Sequence, residues 1–244
     1  MAQAQRRHRR GTLRRNVGCH ARNATFPFKS PRKRRKIAPP RLSVGELAGL
    51  RTTTAELDLK SSVALVMDQD TNEVLFSKNS QAVLPIASIT KLMTAVVVTD
   101  AGLPLDEVLT VTQDDVDTEK GSRSRLSVGS QLTREEMLHL ALMSSENRAA
   151  NALARNYPGG MNAFVAAMNT KARQLGMAQS RFVEPTGLSS DNVSSPRDLV
   201  KLLQASASRP TISNYSTDNQ QEVRAGNKAP TVFRNTNMLV TNPA

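Results

Sequence analysis

Ser88-Ile89-Thr90-Lys91-Leu92-Met93-Thr94 is the stretch on which the reading of this 244-residue chain turns. A serine and a lysine three positions apart at a helix start share one face, so their polar ends can meet. Ile89, Leu92, Met93, Val96 and Val97 recur at helical spacing and predict a helix over 88–99. Apolar residues nearly surround it, which places it in the middle of the folded body. Ser88 would sit among the free N–H groups of the first turn, a location suited to developing negative charge. An oxygen nucleophile needs a partner to take its proton. A lysine serves once burial and neighbouring charge bring its pKa from about 10.4 toward neutrality. The same spacing also fits a helix cap and a solvated charge, so alone it decides nothing.

A second polar segment, Ser144-Ser145-Glu146-Asn147, interrupts two apolar helical runs at 138–143 and 149–154. Such a break places Ser145 and Asn147 at an exposed junction. Ser145 is then a candidate proton relay between Lys91 and a leaving amine. Asn147 is a candidate to hold Lys91 or donate to a substrate carbonyl. An ordinary interhelix turn closed by local side-chain bonds is the alternative.

Toward the N-terminus, the apolar run 63–67, the turn Asp68-Gln69-Asp70-Thr71-Asn72 and Val74-Leu75-Phe76 read as a β-hairpin over 62–77, with order beginning near Leu59. Toward the C-terminus the chain reads mainly as helix. Thr133 and Glu136 form a capping box, Tyr157-Pro158-Gly159-Gly160 is a break, and Met161, Phe164, Val165, Met168 and Leu175 keep helical spacing until Gly176. Ser195-Pro196-Arg197-Asp198 is a second capping box, with Pro at the first helical position of a helix reaching about Leu202. Met137, Met143, Met161 and Met168 read as core. From Ser213 onward the sequence is rich in Asn and Thr, with strands only near 222–224 and 231–233. A lone hairpin is marginal in water, so the expectation is an incomplete sheet and a chain cut short at its C-terminal end.

Composition removes several classes of function. One cysteine, Cys19, excludes an intrachain disulfide and any multi-thiolate metal site. The histidines are His8, His20 and His139; His139 lies in an apolar helical run and reads as structural. Residues 1–41 hold 14 Lys and Arg and no acid, leaving 19 basic and 21 acidic side chains for 42–244. The chain's net charge of +12 therefore belongs to a leader, which includes Arg6-Arg7-His8-Arg9-Arg10 and Arg32-Lys33-Arg34-Arg35-Lys36. Residues 1–57 are expected to be mostly disordered, able to bind anions nonspecifically but implying no specific nucleic acid. The leader lacks the apolar core of a signal peptide, and the chain contains no apolar run of membrane-spanning length.

Taken together, Ser88-Ile89-Thr90-Lys91 and Ser145-Glu146-Asn147, 57 residues apart, resemble the S-x-x-K and S-x-N pair of penicillin-binding proteins and active-site-serine β-lactamases. Asn72-Glu73-Val74-Leu75-Phe76-Ser77-Lys78-Asn79 and Leu84-Pro85-Ile86-Ala87 are similar to the lead-in of low-molecular-mass D-Ala-D-Ala peptidases, peptidase family S11. Phe182-Val183-Glu184-Pro185-Thr186-Gly187-Leu188, Asn192-Val193-Ser194 and Phe233-Arg234-Asn235-Thr236-Asn237 resemble the penicillin-binding protein 7 type of D-alanyl-D-alanine endopeptidase. The resemblance covers about 60–242.

The resemblance implies an α/β fold with a helical subdomain, the serine β-lactamase/D-Ala-D-Ala peptidase fold. It implies a partial catalytic domain over 58–244 with a helical insertion over about 113–205. Ser88 matches the nucleophile, Lys91 its general base, Ser145 the proton shuttle and Asn147 the substrate-positioning residue. The Ser88 N–H matches half of the oxyanion hole. Implied partners are peptidoglycan peptide cross-links and, as covalent inhibitors, β-lactams; the protein is expected to be a monomer in the periplasm, with no cofactor and no metal. Glu184 reads as a loop acid or a shaper of the cleft. One departure stands out: the sequence contains no Lys-Thr-Gly, the family's third motif, which supplies the second oxyanion N–H. Losing one such donor costs about 3 to 4 kcal/mol, so weak or absent activity is expected. The alternatives are an inactive wall- or anion-binding fragment and a serine β-lactamase.

Overall fold

A computed structural model describes residues 42–55, 57–225 and 229–241. The two basic runs, Cys19, His8 and His20 lie outside the described residues. In chain order the first elements are α1 (Val44–Leu47), β1 (Ala64–Met67), β2 (Val74–Lys78), β3 (Leu84–Pro85) and α2 (Thr90–Asp100). They are followed by β4 (Val108–Thr110), β5 (Gln131–Thr133), α3 (Arg134–Met143), α4 (Asn147–Arg155) and α5 (Gly160–Gln174). The remainder is β6 (Val193–Ser194), α6 (Pro196–Ala207), α7 (Pro210–Thr217), β7 (Gln220–Val223) and β8 (Thr231–Arg234).

The expected hairpin forms from β1 and β2, antiparallel, with Ala64 opposite Lys78 and Val66 opposite Phe76. Its turn is built by Asp68, whose carboxylate accepts the N–H of Asp70 at 3.0 Å and of Thr71 at 2.7 Å. Order starts ahead of Leu59. Ser43 and Glu46 form a capping box on α1, and Asn79 Nδ2 donates to the carbonyls of Leu50 and Ser62, both at 2.8 Å.

α2 lies at the centre, as its apolar circumference predicts: Met93, Ala95, Val96, Val97 and Val98 are all 4% exposed or less. α3, α4, α5 and α6 all pack against it. The Thr133–Glu136 box caps α3, with Thr133 Oγ1 accepting from the Glu136 N–H at 3.1 Å and the Glu136 carboxylate from the Thr133 N–H at 2.8 Å. Gly176, at φ +71°, closes α5 in the left-handed conformation. Its N–H reaches the Arg173 carbonyl, and that of Met177 reaches Ala172.

Four local features differ from the sequence reading. α2 begins at Thr90, and Ser88 sits in the tight turn before it, with the Lys91 N–H bonded to the Ser88 carbonyl at 2.9 Å. β4, just ahead of the segment read as helical, pairs with β5 inside it; three residues per strand are too few to show alternation. α7 forms where only polar loop was read, carried by Pro210 at its start and by buried Ile212. Ser195 does cap α6, which runs on to Ala207, but the reciprocal arm of the box is absent. The Asp198 carboxylate instead accepts from the Gln179 N–H at 2.7 Å and the Ser180 hydroxyl at 2.9 Å, closing the loop ahead of β6.

Among the described residues the strands form four two-stranded sheets. β3 pairs with β6, and β7 with β8, where strands were expected. His139 is buried on α3, stacked on Tyr215 of α7 at 4.5 Å and 3.0 Å from the Asp218 carboxylate. That is a structural placement.

Candidate active site

Three of the four candidate residues converge. Lys91 Nζ donates to Ser88 Oγ at 3.1 Å, to Ser145 Oγ at 3.3 Å and to the Thr186 carbonyl at 2.8 Å. The geometry follows from local structure. The tight turn at Ser88 leads directly into α2, so the lysine one turn on projects back beneath the serine. Ser145 reaches across because the junction between α3 and α4 turns sharply, with Ser145 itself at φ +55°. A non-glycine residue in that region stores strain of order 1 to 3 kcal/mol, and such residues cluster at functional sites. Glu146 then caps α4, accepting from the Arg148 N–H. The junction is half-buried rather than exposed as expected.

Asn147 lies in the first turn of α4 but does not reach the lysine. Its Nδ2 donates instead to Ser122 Oγ at 3.0 Å. Ser122 belongs to a loop organised by Asp117, which accepts the N–H groups of Glu119, Lys120 and Ser122. Burial raises the Asp117 pKa, but these bonds outweigh it and hold the carboxyl well below the usual range.

Ser88 is exposed while Lys91 is 3% exposed, an accessible hydroxyl with a buried amine behind it. Burial is the largest influence on Lys91 and lowers its pKa. Glu184 and Glu146 oppose that through their charge, and the result is about 8. At pH 7 about a tenth of such amines are neutral, against roughly one in three thousand for an ordinary lysine. Among the described residues none accepts a hydrogen bond from the Ser88 N–H.

A cavity of about 150 Å³ opens on this cluster, lined by Ser88, Lys91, Leu92, Ala141, Leu142, Ser145 and Thr236. Thr236 was missed as a site residue, although it lies in a quoted motif. Its N–H bonds to the Met143 carbonyl at 3.0 Å, and Ser144 Oγ bonds to the Arg234 carbonyl at 2.8 Å, drawing the segment after β8 to the α3–α4 junction. Thr186 was missed because it contributes through its carbonyl, which no residue type advertises. Among the described residues no group of acids, histidines and cysteines is arranged to hold a metal.

A serine and a lysine one turn apart, with a second serine across the amine, set on a central helix between strands and a helical subdomain, define the penicillin-binding-protein fold. The chain belongs to the D-alanyl-D-alanine carboxypeptidase family, peptidase S11, which matches residues 50–244. It is 56% identical over 186 residues to a D-alanyl-D-alanine endopeptidase of Pseudomonas aeruginosa, covering 76% of this chain and 60% of the relative. The Escherichia coli D-alanyl-D-alanine endopeptidase is 52% identical over 190 residues, 78% of this chain and 61% of that protein. This chain thus spans about three fifths of the length of those relatives. The crystal structure of the Streptomyces K15 DD-transpeptidase superposes with a TM-score of 0.66 at 27% identity, over 72% of this chain and 74% of that one. D-alanyl-D-alanine carboxypeptidase from Mycobacterium tuberculosis gives the same TM-score and identity, over 74% and 68%.

Proposed function

We propose that the protein is a serine-type D-Ala-D-Ala carboxypeptidase/endopeptidase that cleaves peptidoglycan peptides through an acyl-enzyme. The observation that carries this reading is the Lys91 amine held between the Ser88 and Ser145 hydroxyls. Ser88 Oγ attacks the carbonyl of the peptide bond after a D-residue, and neutral Lys91 takes its proton. Charge develops on the carbonyl oxygen beside the Ser88 N–H. Ser145 passes a proton to the departing amine, and water then resolves the ester by the reverse proton path. Asn147 gives one of its two amide N–H bonds to Ser122, leaving the other and its carbonyl oxygen for a substrate peptide group. β-Lactams acylate the same serine.

Because the peptidoglycan substrate lies outside the cytoplasm, we propose that the protein works in the periplasm as a monomer and that its basic residues 1–41 bind anionic surfaces nonspecifically. Fluorescent penicillin labelling tests the reading. Labelling that vanishes in Ser88→Ala supports it; labelling that persists unchanged in Ser88→Ala overturns it.

One observation favours a second reading, a wall- or anion-binding protein that acylates slowly or not at all: residues 1–41 hold 14 Lys and Arg and no acid. Pull-down on purified peptidoglycan without penicillin labelling supports it. Rapid release of opened drug would instead mark a β-lactamase.

A further inference from the structure

We infer that Glu184 is a positioning residue for Lys91, folding the 184–187 turn so that the Thr186 carbonyl fixes the lysine amine between the two serine hydroxyls. The inference rests on the reading above for the role of Lys91 and adds a residue to it.

The Glu184 carboxylate accepts four hydrogen bonds. They come from the Thr186 N–H at 2.6 Å, the Thr186 hydroxyl, the Gly187 N–H at 2.6 Å and Asn192 Nδ2 at 2.7 Å. One side chain thereby pins Thr186 and Gly187 within the turn and ties them to Asn192. Two buried backbone acceptors of that turn face α2: the Thr186 carbonyl takes Lys91 Nζ at 2.8 Å and the Pro185 carbonyl takes Thr94 Oγ1 at 2.7 Å. Asn192, fully buried, extends the same contact by donating to Thr90 Oγ1 at 3.3 Å. Gly187 presses so closely on the nucleophile's turn that an added Cβ would lie 2.0 Å from the Ala87 carbonyl oxygen and 2.9 Å from the Ser88 nitrogen. The turn, with Asn192, therefore touches Ala87 and Ser88 just ahead of the central helix and Thr90, Lys91 and Thr94 within it, the stretch that must be held still for the chemistry.

A neutral amide cannot substitute for this carboxylate. Either orientation of a glutamine at 184 turns its NH₂ toward groups that are already donors. The charge matters as well, since the acids acting on the Lys91 amine are Glu184 from this turn and Glu146 at the head of α4, and both favour its protonated form.

The test is a lysine ¹³Cε NMR titration of the full chain, with Lys91 identified by the signal lost in Lys91→Met, alongside fluorescent penicillin acylation. Lys91 in the native chain titrates near pH 8. Glu184→Gln moves that midpoint down by about half a unit or more and slows acylation about tenfold or more at pH values above both midpoints. Asp198→Asn removes an equally turn-closing carboxylate elsewhere; it lowers the melting temperature and leaves the Lys91 midpoint in place. A Glu184→Gln chain that is destabilised but keeps the native Lys91 midpoint overturns the inference. Should Glu184→Gln not fold, Glu184→Asp decides: it keeps the charge and midpoint but displaces the turn, so acylation at native speed overturns the inference. The titration does not need acylation. A chain whose Lys91 shifts as expected but never takes penicillin retains the positioning role and loses the peptidase reading.

Discussion

The Thr186 carbonyl accepts a hydrogen bond from Lys91 Nζ at 2.8 Å, across 95 residues of chain. That bond sets the direction of the amine, which Ser88 and Ser145 then share. It also requires the lysine to stay buried, and burial gives the site its pH dependence.

Acylation rises with pH. In the proposed mechanism neutral Lys91 is the reactive form, and with its pKa near 8 the acylation rate is expected to fall about tenfold per pH unit below that value and to level off above it. Stability follows the same sign. The folded pKa lies below that of the unfolded chain, so burying the charged amine costs stability below pH 8, and the cost is relieved between about pH 8 and 10.5. Stopped-flow acylation and denaturant titrations across this range check both halves.

Ser145 separates chemistry from backbone strain. Its φ of +55° suits glycine, so Ser145→Gly is expected to raise the stability by about 1 kcal/mol, whereas Ser145→Ala keeps the strain. Both remove the hydroxyl facing Lys91, and both lower penicillin acylation to a similar extent. Thermal melts beside labelling rates distinguish the two effects.

Gly187→Ala brings a methyl group into the Ala87 carbonyl and adds a strained φ of +86°. The expected loss is about 3 kcal/mol or more, with slower labelling because the Ser88 turn must move. Circular dichroism melts read the first effect and fluorescent penicillin the second.

His139 makes the fold sensitive to mild acid. Burial lowers its pKa below the ordinary value, outweighing the raising influence of Asp218 and Glu135. The native state therefore holds it neutral, and stability is lost as pH falls from about 6.5 toward the folded value. Urea midpoints at pH 7 and pH 5 should differ in the native chain, and differ less in His139→Phe, which retains a ring to stack on Tyr215.

Local chemistry made much of this architecture legible. Thr133 with Glu136, Gly176 after α5 and the Asp68 turn each satisfy backbone groups that would otherwise be unpaired, so they reveal their elements from sequence. Ser88, Lys91 and Ser145 were legible because their spacing and resemblance name them. Asn147 was legible by position, but its bond to Ser122 was not, since it depends on a loop closed by Asp117. β4, β5 and α7 escaped because they are short and held by tertiary packing. Thr186 and Thr236 escaped because a backbone carbonyl and a cavity wall leave no periodic trace.

The most direct measurement of the central claim is tandem mass spectrometry of the 244-residue chain after exposure to benzylpenicillin. The account predicts one added drug mass on the peptide containing Ser88, formed faster at pH 9 than at pH 7 and lost when Lys91 is replaced by methionine. An adduct on any other residue, or one formed equally well without the lysine, would contradict it.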